Sequence, residues 1–217
     1  MNKVYDFKTH SGRILLKTSS VEIKHLLIAW LLISLAFSIM KMTGSGVSAN
    51  EFFSTKLLMS MLISGLTVGV AFVFHELAHK IVAQRYHCWA EFRADMTMLG
   101  LGLLMSFLGF IFIAPGAVLI YGHITDRQNG KISLAGPLTN IIIAILLLPL
   151  LFVTINNPIL KEIIVSGYII NAWLALFNMI PVWNFDGAKI WRWNKTVYFS
   201  TVIVSFILSM LYYILYT

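Results

Sequence analysis

The chain has 217 residues, of which 59% are apolar and only 12% charged, with a mean hydropathy of +0.83. A soluble domain of this size carries about twice that charged fraction, so a water-soluble globular fold is excluded and an integral membrane protein is expected. The formal charge of +7 is spread thinly over an apolar chain and gives no support to nucleic-acid binding. Cys88 is the only cysteine, which rules out an internal disulfide and reads as an ordinary unpaired thiol in a polar turn.

The N-terminal Met1–Lys24 is the longest polar stretch and lacks the order of a secretory signal, so residues 1–24 are expected to be a cytoplasmic segment preceding a membrane-embedded domain over 25–217. Ser19, Ser20, Val21 and Glu22 have the spacing of a capping box that opens the first helix. The first apolar span is Leu26–Met42, followed by a loop over Thr43–Phe53 with Gly44, Gly46 and Asn50. A long second helix covers about Leu57–Gln84, and Arg85–Asp95 reads as a polar turn. The apolar stretch Met96–Tyr121 is broken by Gly100, Gly102, Gly109, Pro115 and Gly116. Gly122–Lys131 is polar and turn-like, and further apolar helices are expected near Ser133–Ile155, Leu160–Ile180 and Val197–Tyr216.

The stretch Met96–Tyr121 decides the topology. If it crosses the membrane, Lys and Arg divide nine against seven, which orients nothing. If it enters and returns, thirteen lie on one side and only Lys41, Lys56 and Lys161 on the other. The positive-inside rule selects the second arrangement: an all-α polytopic protein with five transmembrane helices, one re-entrant helix/strand element and a cytoplasmic N-terminus, in a cell membrane. Irregular backbone at membrane depth is tolerated where it lines a cavity, so the re-entrant element is expected to line one.

His75 and His79 are four residues apart, on one helical face, and can grip one zinc ion, with Glu76 placed as general base toward water. Three ionisable residues within five positions of an apolar helix are functional and partnered by default, because each is costly at membrane depth. A catalytic zinc site has three protein ligands and an open position. Asp186 leads for the third: Pro181 ends the preceding helix and Gly187 permits a sharp turn, so a loop could present the carboxylate. Asp126, Glu91, Asp95 and His123 compete from polar turns.

The sequence resembles the site-2 protease family of intramembrane metalloproteases. The resemblance rests on His75-Glu-Leu-Ala-His79, on Ala135-Gly-Pro-Leu-Thr-Asn140, and on Asn178 with Pro181 and Asp186-Gly187, and it covers about residues 57–188, the expected catalytic core. It implies that His75, His79 and Asp186 bind one zinc, that Glu76 activates water, and that Asn178 holds substrate or stabilises the oxyanion. Asn140 matches a position in the adjacent core helix. Gly136 and Pro137 read as a close helix contact with a helix-start proline. Asn184, Phe185 and Ala188 stand where the family carries proline, leucine and a second glycine. The PDZ or CBS domains frequent in the family have no counterpart here, so a catalytic core alone is expected. The implied partners are a transmembrane protein substrate and the bilayer, with no nucleic acid, and the site lies toward the cytoplasmic side. Cleavage further requires the substrate helix to unwind, and Ala117–Tyr121 is expected to pair with it as an added strand. The alternatives are a non-catalytic homologue that binds transmembrane segments and a metal transporter. The latter would show repeat symmetry and paired broken helices, and the chain shows neither. A glutamate third ligand, as in proteases that trim prenylated proteins, would have to be Glu162, on the far side of the membrane.

Overall fold

The computed structural model describes residues 17–44, 55–111, 115–153, 156–182 and 184–216. The loop expected over Thr43–Phe53, and the basic residues Lys3, Lys8 and Arg13, fall mostly or wholly outside these residues. Five helices are long and apolar enough to cross a membrane. They are α1 (Ser20–Gly44), α2 (Thr55–Arg85), α4 (Asp126–Leu147, continued by a 3-10 turn at Leu148–Phe152), α5 (Pro158–Asn178) and α7 (Lys195–Tyr216). Between α2 and α4 lie the strand β1 (Trp89–Ala94), the short helix α3 (Met96–Ser106) and the strand β2 (Gly116–Tyr121). With 11 residues, α3 is about 16 Å long and cannot span. The helix α6 (Asp186–Trp193) joins α5 to α7.

Burial is distributed as a bilayer demands. Large apolar side chains such as Leu27, Leu31, Leu62 and Leu146 face outward, while Ser34, Ser38, Thr67, Asn140 and Asn171 are buried between helices. Lipid removes the hydrophobic drive for burying leucine, so close contact of small residues and interhelical hydrogen bonds hold the bundle. One apolar cluster joins α4, α5 and α7 through Ala144, Tyr168, Ala172 and Leu208, with the Tyr168 hydroxyl donating to the Leu208 carbonyl at 2.6 Å. Another joins α1, α2, β1 and α3 through Ala29, Phe72, Phe92 and Leu99. The candidate site lies where α2, α4 and α6 meet.

The helix α2 is not uniform: Gly65–Gly69 forms a π turn, and the Gly65 carbonyl also accepts from the Trp30 indole of α1 at 3.0 Å. Such turns reset the facing of the following helix, here the segment that carries His75.

Four local expectations are corrected. Arg85–Asp95 is a turn only at its start, because Trp89–Ala94 pairs antiparallel with β2, from Trp89↔Tyr121 to Ala94↔Gly116. Gly122–Lys131 is mostly helix: a capping box formed by Thr125 and Gln128 starts α4 at Asp126. Pro137 therefore lies inside α4 and not at its start, where it removes the hydrogen bond that the Ser133 carbonyl would accept. Ser19 caps α1 by accepting from the Glu22 amide at 3.0 Å, but the Glu22 side chain turns away to Lys80 and the Phe92 amide, so only half the capping box forms.

Candidate metal centre

His75 and His79 project from one face of α2 and are both buried. Asp186 is the first residue of α6, so a helix start presents it and not a loop. Its approach depends on Gly187: a Cβ there would collide with the Met179 carbonyl at the end of α5, so only glycine lets the two helix ends come this close. Asp186 Oδ2 lies 3.3 Å from His75 Nε2 and 3.0 Å from His79 Nε2, and the three ligand atoms fall within 4.8 Å of one another. Oδ1 faces Lys189 Nζ at 3.8 Å.

The outer nitrogens of the imidazoles fix their tautomers. His79 Nδ1 is 2.7 Å from the Ile132 carbonyl, which can only accept, so Nδ1 carries the proton. His75 Nδ1 is 2.6 Å from Asn140 Oδ1. Asn140 Nδ2 donates to Asn171 Oδ1 at 2.8 Å and to the Ala71 carbonyl at 3.3 Å, and Asn171 Nδ2 donates to the Gly167 carbonyl at 2.8 Å. That chain leaves Asn140 Oδ1 as acceptor and His75 Nδ1 as donor. Both Nε2 atoms therefore aim bare lone pairs at the Asp186 carboxylate. Three lone-pair donors that converge without a hydrogen among them fit a cation. The room for it comes from α4, where a Cβ on Gly136 would strike both Nε2 atoms.

Asn171 was not singled out from the sequence, although the argument from an ionisable or polar side chain in an apolar helix applies to it as to His75. Asn140→Leu is expected to weaken metal binding by about 10- to 100-fold, the usual cost of losing a hydrogen bond that orients a ligating histidine. Asn171→Leu should act in the same direction but less, because Asn140 keeps its bond to Ala71. Competition with a chelator of known affinity reads both, and unaltered binding in Asn140→Leu would show that His75 is oriented by other means.

Glu76 is buried beside His75 but lies outside the three-residue group. Together with His75, His79, Asn178 and Asp186 it lines a cavity of about 730 Å³, which Gly116–Ile120 of β2 also line. Asn178 ends α5 and donates to the Leu174 carbonyl of its own helix at 2.9 Å. The competing acidic residues have other partners. Glu91 binds Ser19 and Arg93, and Asp95 caps α3 by accepting from Thr97 and Met98. Asp126 stands exposed in the first turn of α4 and His123 is exposed before it, and neither joins a metal-ligating group among the described residues.

No family profile matches the chain, and no solved structure matches it. A protein of Methanocaldococcus jannaschii named "Putative zinc metalloprotease MJ0611" is 45% identical over 139 residues, which are 63% of this chain and 73% of that protein. Two imidazoles and a carboxylate are a donor set for zinc. At this identity and coverage the chain belongs to the same family of zinc metalloproteases as its archaeal relative.

Proposed function

We propose that the protein is an intramembrane zinc endopeptidase of the site-2 protease type, which hydrolyses peptide bonds within or near the transmembrane segments of other membrane proteins. One observation carries this reading: His75, Glu76 and His79 sit inside a span, His75 about ten residues from its end, and together with Asp186 of the adjoining helix α6 they line a cavity edged by a strand. His75, His79 and Asp186 hold the zinc, which when bound polarises the scissile carbonyl and lowers the barrier to attack by water. Glu76 takes the proton of the attacking water on its carboxylate and delivers it to the leaving nitrogen. Asn178 keeps one N–H free of its bond to Leu174 and turns it to the developing oxyanion.

Charge supports a cytoplasm-proximal site. Lys41, Lys56 and Glu162 gather in one pocket, and Lys41 pairs with Glu162, which marks that end as the charge-poor face of the thirteen-to-three division. The other end holds the catalytic group and, on this reading, is cytoplasmic.

The ladder supports substrate pairing on β2. The Phe92 and Ala94 amides of β1 donate away from β2, to Glu22 and His25, so the pairs Phe92↔Val118 and Ala94↔Gly116 are not hydrogen-bonded. Val118 and Ile120 consequently turn their backbone groups to the open edge of β2, on the cavity side. A proline there removes an outward N–H and leaves the β1 ladder intact. Val118→Pro and Ile120→Pro are expected to abolish cleavage with zinc still bound, and undiminished cleavage in both would sink the pairing.

The overall reading is tested with purified protein in detergent and a fluorescent single-span substrate, with zinc removed by chelation and then restored. Cleavage that follows zinc supports it. No cleavage across several helix-destabilised substrates, with zinc bound one to one, would replace it by a non-catalytic protein that binds transmembrane segments.

A further inference from the structure

An edge strand exposes a row of unpaired amides that will recruit any extended chain. The sheet here has two edges: β2 lines the cavity along Gly116–Ile120, whereas β1 reaches it only at its end, with Arg93 and Ala94. The β1 edge is occupied by side chains of α1. Glu22 Oε1 accepts from the Phe92 amide at 3.1 Å, and His25 Nδ1, one helical turn further, accepts from the Ala94 amide at 3.1 Å. Ser19 Oγ donates to Glu91 of the same strand. The second oxygen of Glu22 pairs with Lys80, whose ammonium also donates to Thr18 at 2.8 Å. The side chains of this ion pair are each only 1% exposed, and Lys80 is the residue after His79. A single carboxylate thus ties α1 at once to the strand that carries β2 and to the helix that carries both histidines.

We propose that Glu22 is a positioning residue: with His25 it stands in for a third strand, closes the β1 edge, and sets the register in which substrate on β2 meets the catalytic group. The proposal rests on the protease reading with β2 as the docking strand. A buried charge pair in a membrane helix contributes little net stability over an apolar pair of equal size, so stability alone does not account for it. A fixed register is what it adds. Strand pairings slip most readily in steps of two residues, which keep each side chain on its own face. A sheet released from Glu22 would therefore present substrate bonds two residues apart to the same Glu76.

The test compares Glu22→Gln with Glu22→Met/Lys80→Met. Glutamine keeps one oxygen that can still accept from the Phe92 amide while its NH2 group faces Lys80, whereas the double variant removes both charges together, leaving none unpaired but stranding the Phe92 amide. The readouts are zinc stoichiometry, KM against kcat, and the termini of the products by mass spectrometry. Glu22→Gln is expected to cut at the wild-type bond. The double variant should hold one zinc, show KM raised about tenfold for the lost backbone anchor, and give product termini spread over positions two residues apart. A zinc-loaded double variant with wild-type KM and a single wild-type terminus would overturn the proposal. If that variant does not hold zinc, His25→Leu decides, since it frees only the Ala94 amide: spread termini sustain the proposal, and a single wild-type terminus overturns it. No cleavage by the wild type would sink the protease reading and this proposal with it, while cleavage at an unshifted bond sinks the proposal alone.

Discussion

Glu76→Gln is expected to lower cleavage by about 10²- to 10⁴-fold, the range supplied by a positioned general base, while one zinc per chain stays bound. The two halves of this expectation come from separate observations. Glu76 lines the cavity beside His75, so its carboxylate faces the space where water and a scissile bond must meet. It does not belong to the three-residue group whose ligand atoms converge, so its loss removes no ligand. Glutamine keeps the shape and the buried volume but cannot take a proton. Parallel measurement of kcat and zinc content separates the outcomes. Lost zinc would make Glu76 a fourth ligand. Retained cleavage would move the base to another cavity group, such as Lys189, 3.8 Å from Asp186.

The elements that composition decides were legible. Five spans follow from apolar length, and the re-entrant stretch follows from Gly100, Gly102, Pro115 and Gly116 together with the asymmetry of Lys and Arg. The two histidines could be placed on one face because a helix fixes the i, i+4 relation without help from the rest of the fold. The parts that failed depend on partners distant in sequence. Trp89–Ala94 reads as polar turn because Glu91 and Arg93 are charged, yet these satisfy each other and Ser19, and the strand's free amides are met by α1 some seventy residues earlier. Lys80, within the second helix, counts only toward the charge of one membrane face until Glu22 is found beside it. The start of α4 is legible in principle, since Thr125 and Gln128 have capping-box spacing, but the polar run Gly122–Lys131 reads as a turn. Asp186 was reached through Pro181 and Gly187, and its helical setting was missed because α6 is only eight residues long.

Gly136→Ala should remove zinc nearly as completely as Asp186→Ala, although it deletes no ligand. In Asp186→Ala the set falls from three donors to two, below what a catalytic zinc site requires. In Gly136→Ala all three donors remain, but the new methyl group occupies the space in front of both Nε2 atoms, into which their lone pairs point. Relief would require moving α4 off α2, and α4 is held there by the Ile132 carbonyl on His79 and by Asn140 on His75. The loss in affinity should therefore exceed the ~100-fold at the upper end for a missing supporting hydrogen bond, and cleavage should vanish with the metal. Circular dichroism and detergent-column elution should match the wild type, because the atoms nearest the new methyl group belong to the imidazole ends and not to backbone. The two variants differ in how they respond to excess zinc. High concentrations should not restore cleavage to Gly136→Ala, where the position itself is filled, whereas Asp186→Ala keeps the space and can regain weak occupancy through the two imidazoles. Full zinc and full cleavage in Gly136→Ala would mean that the metal lies off the line between the imidazoles and α4, and the Asp186 geometry would then have to be reached from the cavity side alone.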